Sequence, residues 1–177
     1  MGEASEPQLQ YLEYYEDFLA KVRILSRKTL ESGWMPDFVI GIGRGGLVPA
    51  TYVSHQLEVP MLSIDHSSKV PGFADELLTK VAVMSSEGRK LLFIDDINDS
   101  GGTIAYIRER LIESGADAAT IRFAVVINNT SSQAEVDLWA DTIDRTEDKR
   151  WFVFPWESVA TRESITAEAL SIPERLA

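Results

Sequence analysis

Three carboxylates and a cluster of small residues crowd one stretch of the chain, Asp95-Asp96-Ile97-Asn98-Asp99-Ser100-Gly101-Gly102-Thr103. A Ser-Gly-Gly-Thr turn lets several backbone N–H groups converge on one anion, and a helix starting there favours negative charge. The aspartates cannot bind phosphate themselves. Packed so closely, they need a counter-ion or raised pKa values, and they suit a metal ion or the hydroxyls of a sugar. Phosphate, pentose and metal together describe a phosphorylated sugar. Solvated turn aspartates are the weaker reading, because Asp95 directly follows the apolar run Leu91-Leu92-Phe93-Ile94, where an unpaired carboxylate is costly.

A second turn, Gly41-Ile42-Gly43-Arg44-Gly45-Gly46, fits G-x-G-x-x-G between an apolar run and a helical pattern. With Asp65 as a ribose-binding acid, it is compatible with a dinucleotide fold. Arg44 points another way, since a charge inside the turn addresses an anion that a dinucleotide fold normally holds by backbone alone. A plain strand-to-helix turn with an exposed arginine is the third possibility.

Both turns need strands to deliver them. Leu12, Tyr15, Leu19 and Val22 recur at helical spacing, which predicts a helix over about residues 8–32, ended by Gly33 and Pro36. Phe38 to Ile42 reads as a strand, and Ala50, Val53 and Leu57 line a helix with Pro49 in its first turn. Val59 to Ile64 reads as a strand, and 67–72 as a loop. Leu78, Val81 and Val83 suggest a strand returning from it. Lys90 to Ile94 is the strand before the aspartates; Ile104, Ile107 and Leu111 face one side of the next helix, capped by Gly115. Ile121 to Ile127, the alternating Val136, Leu138 and Ala140, and Trp151 to Phe154 complete the strands. This order predicts an α/β fold with an open, mostly parallel sheet flanked by helices. Ligands gather beyond the carboxyl ends of such strands, where both glycine turns fall.

The bulk numbers narrow the function. A chain of 177 residues with 45% hydrophobic content is one ordinary globular domain. Zero cysteines exclude disulfides, thiolate metal sites and a thiol nucleophile. The net charge of −11 argues against nucleic acid as the partner. The absence of a long apolar run or signal segment argues against a membrane and for a cytoplasmic protein. Asn98, Asn128 and Asn129 each begin an N-x-[ST] triplet, read in this context as chance matches.

The segment Phe93 to Thr103 resembles the phosphoribosyl-diphosphate (PRPP) signature of type I phosphoribosyltransferases. Gly43-Arg44-Gly45-Gly46-Leu47-Val48-Pro49 is similar to the pyrophosphate loop of the bacterial xanthine-guanine (purine) branch, and Trp151-Phe152-Val153-Phe154-Pro155-Trp156-Glu157 to the segment covering the purine there. The resemblance implies one phosphoribosyltransferase domain, with a core over about 8–130 and a small hood over about 131–177. It implies transfer of the phosphoribosyl group of PRPP to a purine base with release of pyrophosphate, in salvage. Ser100, Gly101, Gly102 and Thr103 would hold the 5′-phosphate, Asp95 the ribose hydroxyls, and Arg44 with Gly45 the pyrophosphate. Mg²⁺ would lie at Asp96, with Glu157 near the metal, and Asp99 would take or share the N7 proton of the base. Trp151 and Phe152 would sandwich the base. The segment from Asp65 to about Leu78 would be a mobile active-site loop, with Ser67, Ser68 and Lys69 facing substrate. The family's non-proline cis peptide would fall before Arg44, and a homodimer or homotetramer is the family's habit.

The pattern departs from the family at one place. In its 6-oxopurine enzymes a lysine at the end of the strand after the PRPP loop donates to the purine O6. Here that strand ends Val125-Val126-Ile127-Asn128-Asn129-Thr130. Asn128 can donate to a carbonyl or accept from an exocyclic amine, which leaves the base open. It also leaves open a PRPP- or nucleotide-sensing module without catalysis, alongside the dinucleotide-binding oxidoreductase built on Gly41 to Gly46.

Overall fold

The computed structural model describes residues 7–11, 15–66, 70 and 72–171. In chain order its elements are β1 (Leu9–Tyr11), α1 (Tyr15–Glu31), β2 (Phe38–Ile42), α2 (Gly43–Leu57), β3 (Met61–Ile64), α3 (Phe73–Ser86), β4 (Leu91–Asn98), α4 (Gly102–Glu113), β5 (Ile121–Asn129), β6 (Leu138–Ile143), β7 (Trp151–Val153) and α5 (Arg162–Leu170). They divide into a larger unit, Lys21–Ile143, and a smaller one, Met1–Ala20 with Asp144–Ala177.

The larger unit holds a five-stranded sheet in the order β3-β2-β4-β5-β6. Every pairing in it is parallel, so the expected open α/β sheet is present. From β2 the chain steps to β3 on one side, then returns to add β4, β5 and β6 on the other. The reversal between β2 and β4 opens a crevice at their carboxyl ends, where the two turns diverge. Leu91 to Ile94 are buried on both faces of β4, as an all-parallel sheet with helices on its faces requires. Phe93 and Phe123 stack at 5.1 Å in the core beside Ile40, Ile104, Ile107 and Leu111. Each such side chain contributes about 1.5–3 kcal/mol by leaving water.

Four expectations need correction. The helix predicted over 8–32 starts at Tyr15, and Leu9–Tyr11 instead forms a strand parallel to β7. Its buried stripe is Phe18, Val22 and Leu25, while Tyr15 is 48% exposed; Leu12 lies outside the described residues. The strand expected at Leu78, Val81 and Val83 is helix α3. Leu78, Val81, Ala82 and Ser85 are buried at helical spacing, whereas Val83 is 51% exposed, and Asp75 and Glu76 suit the positive end of the helix. The segment expected as a loop to Leu78 is therefore helical from Phe73. Finally, β4 runs past Ile94 to Asn98 because its ladder with β5 continues through Ile97↔Ile127 and Asn98↔Asn128. Asp95 and Asp96 are strand residues, not turn residues.

In the smaller unit β1 pairs with β7 through Leu9↔Trp151, Gln10↔Phe152 and Tyr11↔Val153. The Trp156 ring stacks on Phe154 at 4.9 Å and meets Phe18 edge-on at 5.3 Å. Among the described residues no helix is long and apolar enough to cross a membrane.

Candidate active site

Strand β4 carries its two carboxylates to the crevice in different states. Asp95 is only 9% exposed, and its Oδ1 accepts the Asp96 N–H at 3.0 Å. Burial first, and then the neighbouring Asp96 charge, push the Asp95 carboxyl well above the usual carboxylate range. Asp96 is half-buried, and its Oδ1 accepts the Ile97 N–H at 2.7 Å. The pair offers hard oxygen donors, the chemistry of sugar hydroxyls and of Mg²⁺. No three or more His, Cys, Asp or Glu groups form a ready metal cage among the described residues. Mg²⁺ is usually held by one or two carboxylates plus substrate oxygens and water, and Asp95 and Asp96 offer two adjacent carboxylates.

Two helices begin at this crevice without a side-chain cap. Ile42 precedes α2 and Gly101 precedes α4, and neither provides a capping side-chain hydrogen bond. With no side-chain cap at either start, both helix dipoles favour an anion there. Gly101 takes φ +91°, and a Cβ there would stand 2.5 Å from the Ala134 backbone N, so only glycine serves. The Gly102 N–H meets Ser100 Oγ at a long 3.4 Å. All peptide bonds among the described residues are trans. The expected cis bond before Arg44 is thus absent, and Gly43 turns the chain with φ +53° instead.

Arg44 is exposed and makes no hydrogen bond or ion pair with any described residue, a guanidinium free to meet an anion. Beside it opens a cavity of about 220 Å³ lined by Gly43, Arg44, Leu47, Ser63, Ile64, Asp65 and Leu77. Ser67, Ser68 and Lys69 lie outside the described residues.

Sequence reasoning missed a second layer of amides behind the loop. Asn129 is buried and donates through Nδ2 to the Asp99 carbonyl at 2.9 Å. The Gln133 N–H donates to the Ser100 carbonyl at 3.2 Å. Asn98, 1% exposed, donates to Asn128 Oδ1 at 2.8 Å and to the Ala134 carbonyl at 2.7 Å. The one available signal was the pair of asparagine-rich strand ends at 98 and 128–129, read above as chance triplets.

In the smaller unit the Phe152 ring carries the Arg145 guanidinium at 5.1 Å and that of Arg150 at 5.7 Å. Arg145 is 8% exposed and donates to the carbonyls of Asp148 and Arg150 at 3.1 and 2.6 Å. Trp151 N–H donates to the Gln8 carbonyl at 2.7 Å in the two-stranded sheet. Glu157 Oε2 accepts the Phe154 N–H at 2.9 Å, closing its own turn.

A sequence model of the phosphoribosyl transferase domain matches residues 10–159. A xanthine-guanine phosphoribosyltransferase of Idiomarina loihiensis is 29% identical over 150 residues, covering 81% of this chain and 84% of that protein. Another, of Nitratidesulfovibrio vulgaris, is 30% identical over 145 residues, covering 81% of this chain and 82% of that one. Among solved structures, a purine phosphoribosyltransferase from Pyrococcus horikoshii superposes with a TM-score of 0.62 at 25% identity, covering 85% of this chain and 94% of that chain.

Proposed function

The chain belongs to the phosphoribosyl transferase family, and from that premise we propose that it is a purine phosphoribosyltransferase of nucleotide salvage, acting at the crevice between β2 and β4. As a member of that family it is an enzyme that transfers a phosphoribosyl group. The observation that carries the local reading is the adjacent pair of buried Asp95 and half-buried Asp96 beside two helix starts that lack a side-chain cap.

In this reading the 5′-phosphate of PRPP sits on the N–H groups of Gly101, Gly102 and Thr103, with the Ser100 and Thr103 hydroxyls adding donors. Asp95 accepts from the ribose hydroxyls. Arg44 and the Gly45 backbone hold the pyrophosphate, and the Gly41 to Gly46 turn is a pyrophosphate loop rather than a dinucleotide one. Mg²⁺ would be held by Asp96 and, when bound, would neutralise charge on the leaving pyrophosphate. Glu157, with one oxygen engaged by Phe154 N–H, is the weaker metal candidate.

The reaction displaces pyrophosphate from C1 of PRPP by a nitrogen of the base through an oxocarbenium-like transition state. Such a centre needs its leaving group stabilised before it needs a strong nucleophile. Arg44 supplies that stabilisation from the protein. Asp99 takes the proton released from the base, and the Asn129 bond to its carbonyl keeps its backbone in place. A cytoplasmic location and a homodimer or homotetramer complete the proposal. Release of pyrophosphate from PRPP and Mg²⁺ with a panel of bases tests it: turnover with a purine supports the assignment, and none with any base refutes it.

A further inference from the structure

We propose that Asn98 is a positioning residue that locks the Asn128 amide with its NH₂ group free for the base, so that the site takes a purine with a ring carbonyl and rejects one with an amine at the same edge. The inference deepens the proposed function and rests on the expectation, drawn from the sequence, that Asn128 at the end of β5 meets the edge of the base.

The amide orientations follow from one group that cannot be reversed. The backbone carbonyl of Ala134 can only accept, and it lies 2.7 Å from the Asn98 amide. The atom facing it must be Nδ2. The other amide atom of Asn98 is then Oδ1, and it accepts the Ser132 hydroxyl at 3.0 Å. Ser132 Oγ in turn accepts the Ala134 N–H at 3.3 Å, so its proton is free to be given to Asn98. Asn98 Nδ2 spends its second proton on Asn128 at 2.8 Å, and the Asn128 atom there must be the carbonyl oxygen.

What Asn128 keeps unpartnered is its NH₂ donor. Its Nδ2 has no partner among the described residues, and the side chain is half-buried at the carboxyl end of β5. Asn98 is 1% exposed and pinned on three sides, so flipping the Asn128 amide would set its NH₂ against the NH₂ of Asn98. An asparagine alone reads both edges. One held in this way reads only a carbonyl. The same 132–134 segment touches the phosphate turn, with Gln133 N–H on the Ser100 carbonyl, so one short segment braces both ends of the nucleotide.

The test compares kcat/KM for hypoxanthine and adenine, whose six-membered rings differ at the edge in question. The wild type should favour hypoxanthine by roughly 10- to 100-fold, the effect of one unmade hydrogen bond in a partly buried site. Asn128→Asp keeps the acceptor that Asn98 needs but replaces the free donor with an oxygen, and the ratio should fall at least tenfold or invert. Asn98→Ala should draw the ratio towards one, whereas a merely structural role would lower both bases together. Adenine preference in the wild type, or a ratio unmoved by Asn128→Asp, overturns the lock. Calorimetric titration with inosine and adenosine monophosphates reads the same edge without turnover. An inactive protein that still prefers the inosine nucleotide tenfold upholds the lock and refutes the catalytic reading; equal affinities refute the lock.

Discussion

A Cβ placed on Gly45 would collide with the carboxylate of Asp96. The first turn of α2 therefore lies flush against the second carboxylate of β4, the strand that leads into the second glycine turn. The atom in the way is the end of a side chain, which can swing aside. Gly45→Ala should accordingly move Asp96 more than it disturbs the fold. Melting should shift by no more than about 1 kcal/mol of stability, while Mg²⁺-dependent PRPP affinity should fall at least about tenfold by calorimetry. Wild-type affinity would show that Asp96 has no part in binding.

Arg44 and Asp99 should fail differently. Arg44→Ala removes a charged donor to the leaving group, and loss of such a bond weakens PRPP and pyrophosphate binding by roughly 10- to 100-fold. Asp99→Asn should leave PRPP affinity nearly intact and lower kcat by roughly 10²-fold, the scale of a lost general base. Steady-state kinetics beside direct titration separates them, and an unchanged rate would remove Asp99 from the chemistry.

Asp95 trades stability for function. Its carboxyl is buried and pushed towards the protonated form, so holding it ionised near neutral pH costs the ligand-free fold free energy. Asp95→Asn keeps an oxygen that can accept the Asp96 N–H and removes the charge. The ligand-free variant should melt several degrees higher, a gain of roughly 1–2 kcal/mol, and lose most PRPP affinity. A lower melting point would contradict the cost assigned to this carboxylate.

The contact between α3 and α4 carries a pH signature of its own. Tyr106 Oη donates to Asp75 Oδ1 at 2.8 Å, and Arg110 Nε to the same oxygen at 3.2 Å. The bond to Asp75 raises the Tyr106 phenol above its ordinary 10.0, and the bonds from Tyr106 and Arg110 lower Asp75 below 3.8. A raised phenol gives stability that is complete below its unfolded value and is lost as pH climbs through the folded one. A lowered carboxyl gives stability that is complete above its unfolded value and is lost as pH falls through the folded one. The contact is therefore whole between roughly pH 4 and 10. Tyr106→Phe should remove the alkaline step from the pH dependence of melting; persistence of that step in the variant would assign it elsewhere.

The legible parts of this fold are those that local chemistry dictates. Leu91 to Ile94 and Phe123 to Ile127 are apolar on both faces, and that pattern suits a buried parallel strand. The Ser100 to Thr103 bend follows from residue type too, since its small residues let the chain turn into α4 with Gly101 at φ +91°. Helix α3 was misread because Val81 and Val83 are β-branched and alternate, while its true buried set, Leu78, Val81, Ala82 and Ser85, includes a small and a polar residue that carry no hydrophobic signal. Strand β1 was invisible because its ladder partner β7 lies near the other end of the chain. Asn98 looked like one more loop residue; its orientation depends on the Ala134 carbonyl, a contact that no spacing rule encodes.

The most direct measurement is a crystal structure of the protein soaked with PRPP and Mg²⁺. The 5′-phosphate should rest on the N–H groups from Gly101 to Thr103, with the ribose hydroxyls on Asp95. A vacant Ser100 to Thr103 bend, with the ligand bound elsewhere, would contradict the account.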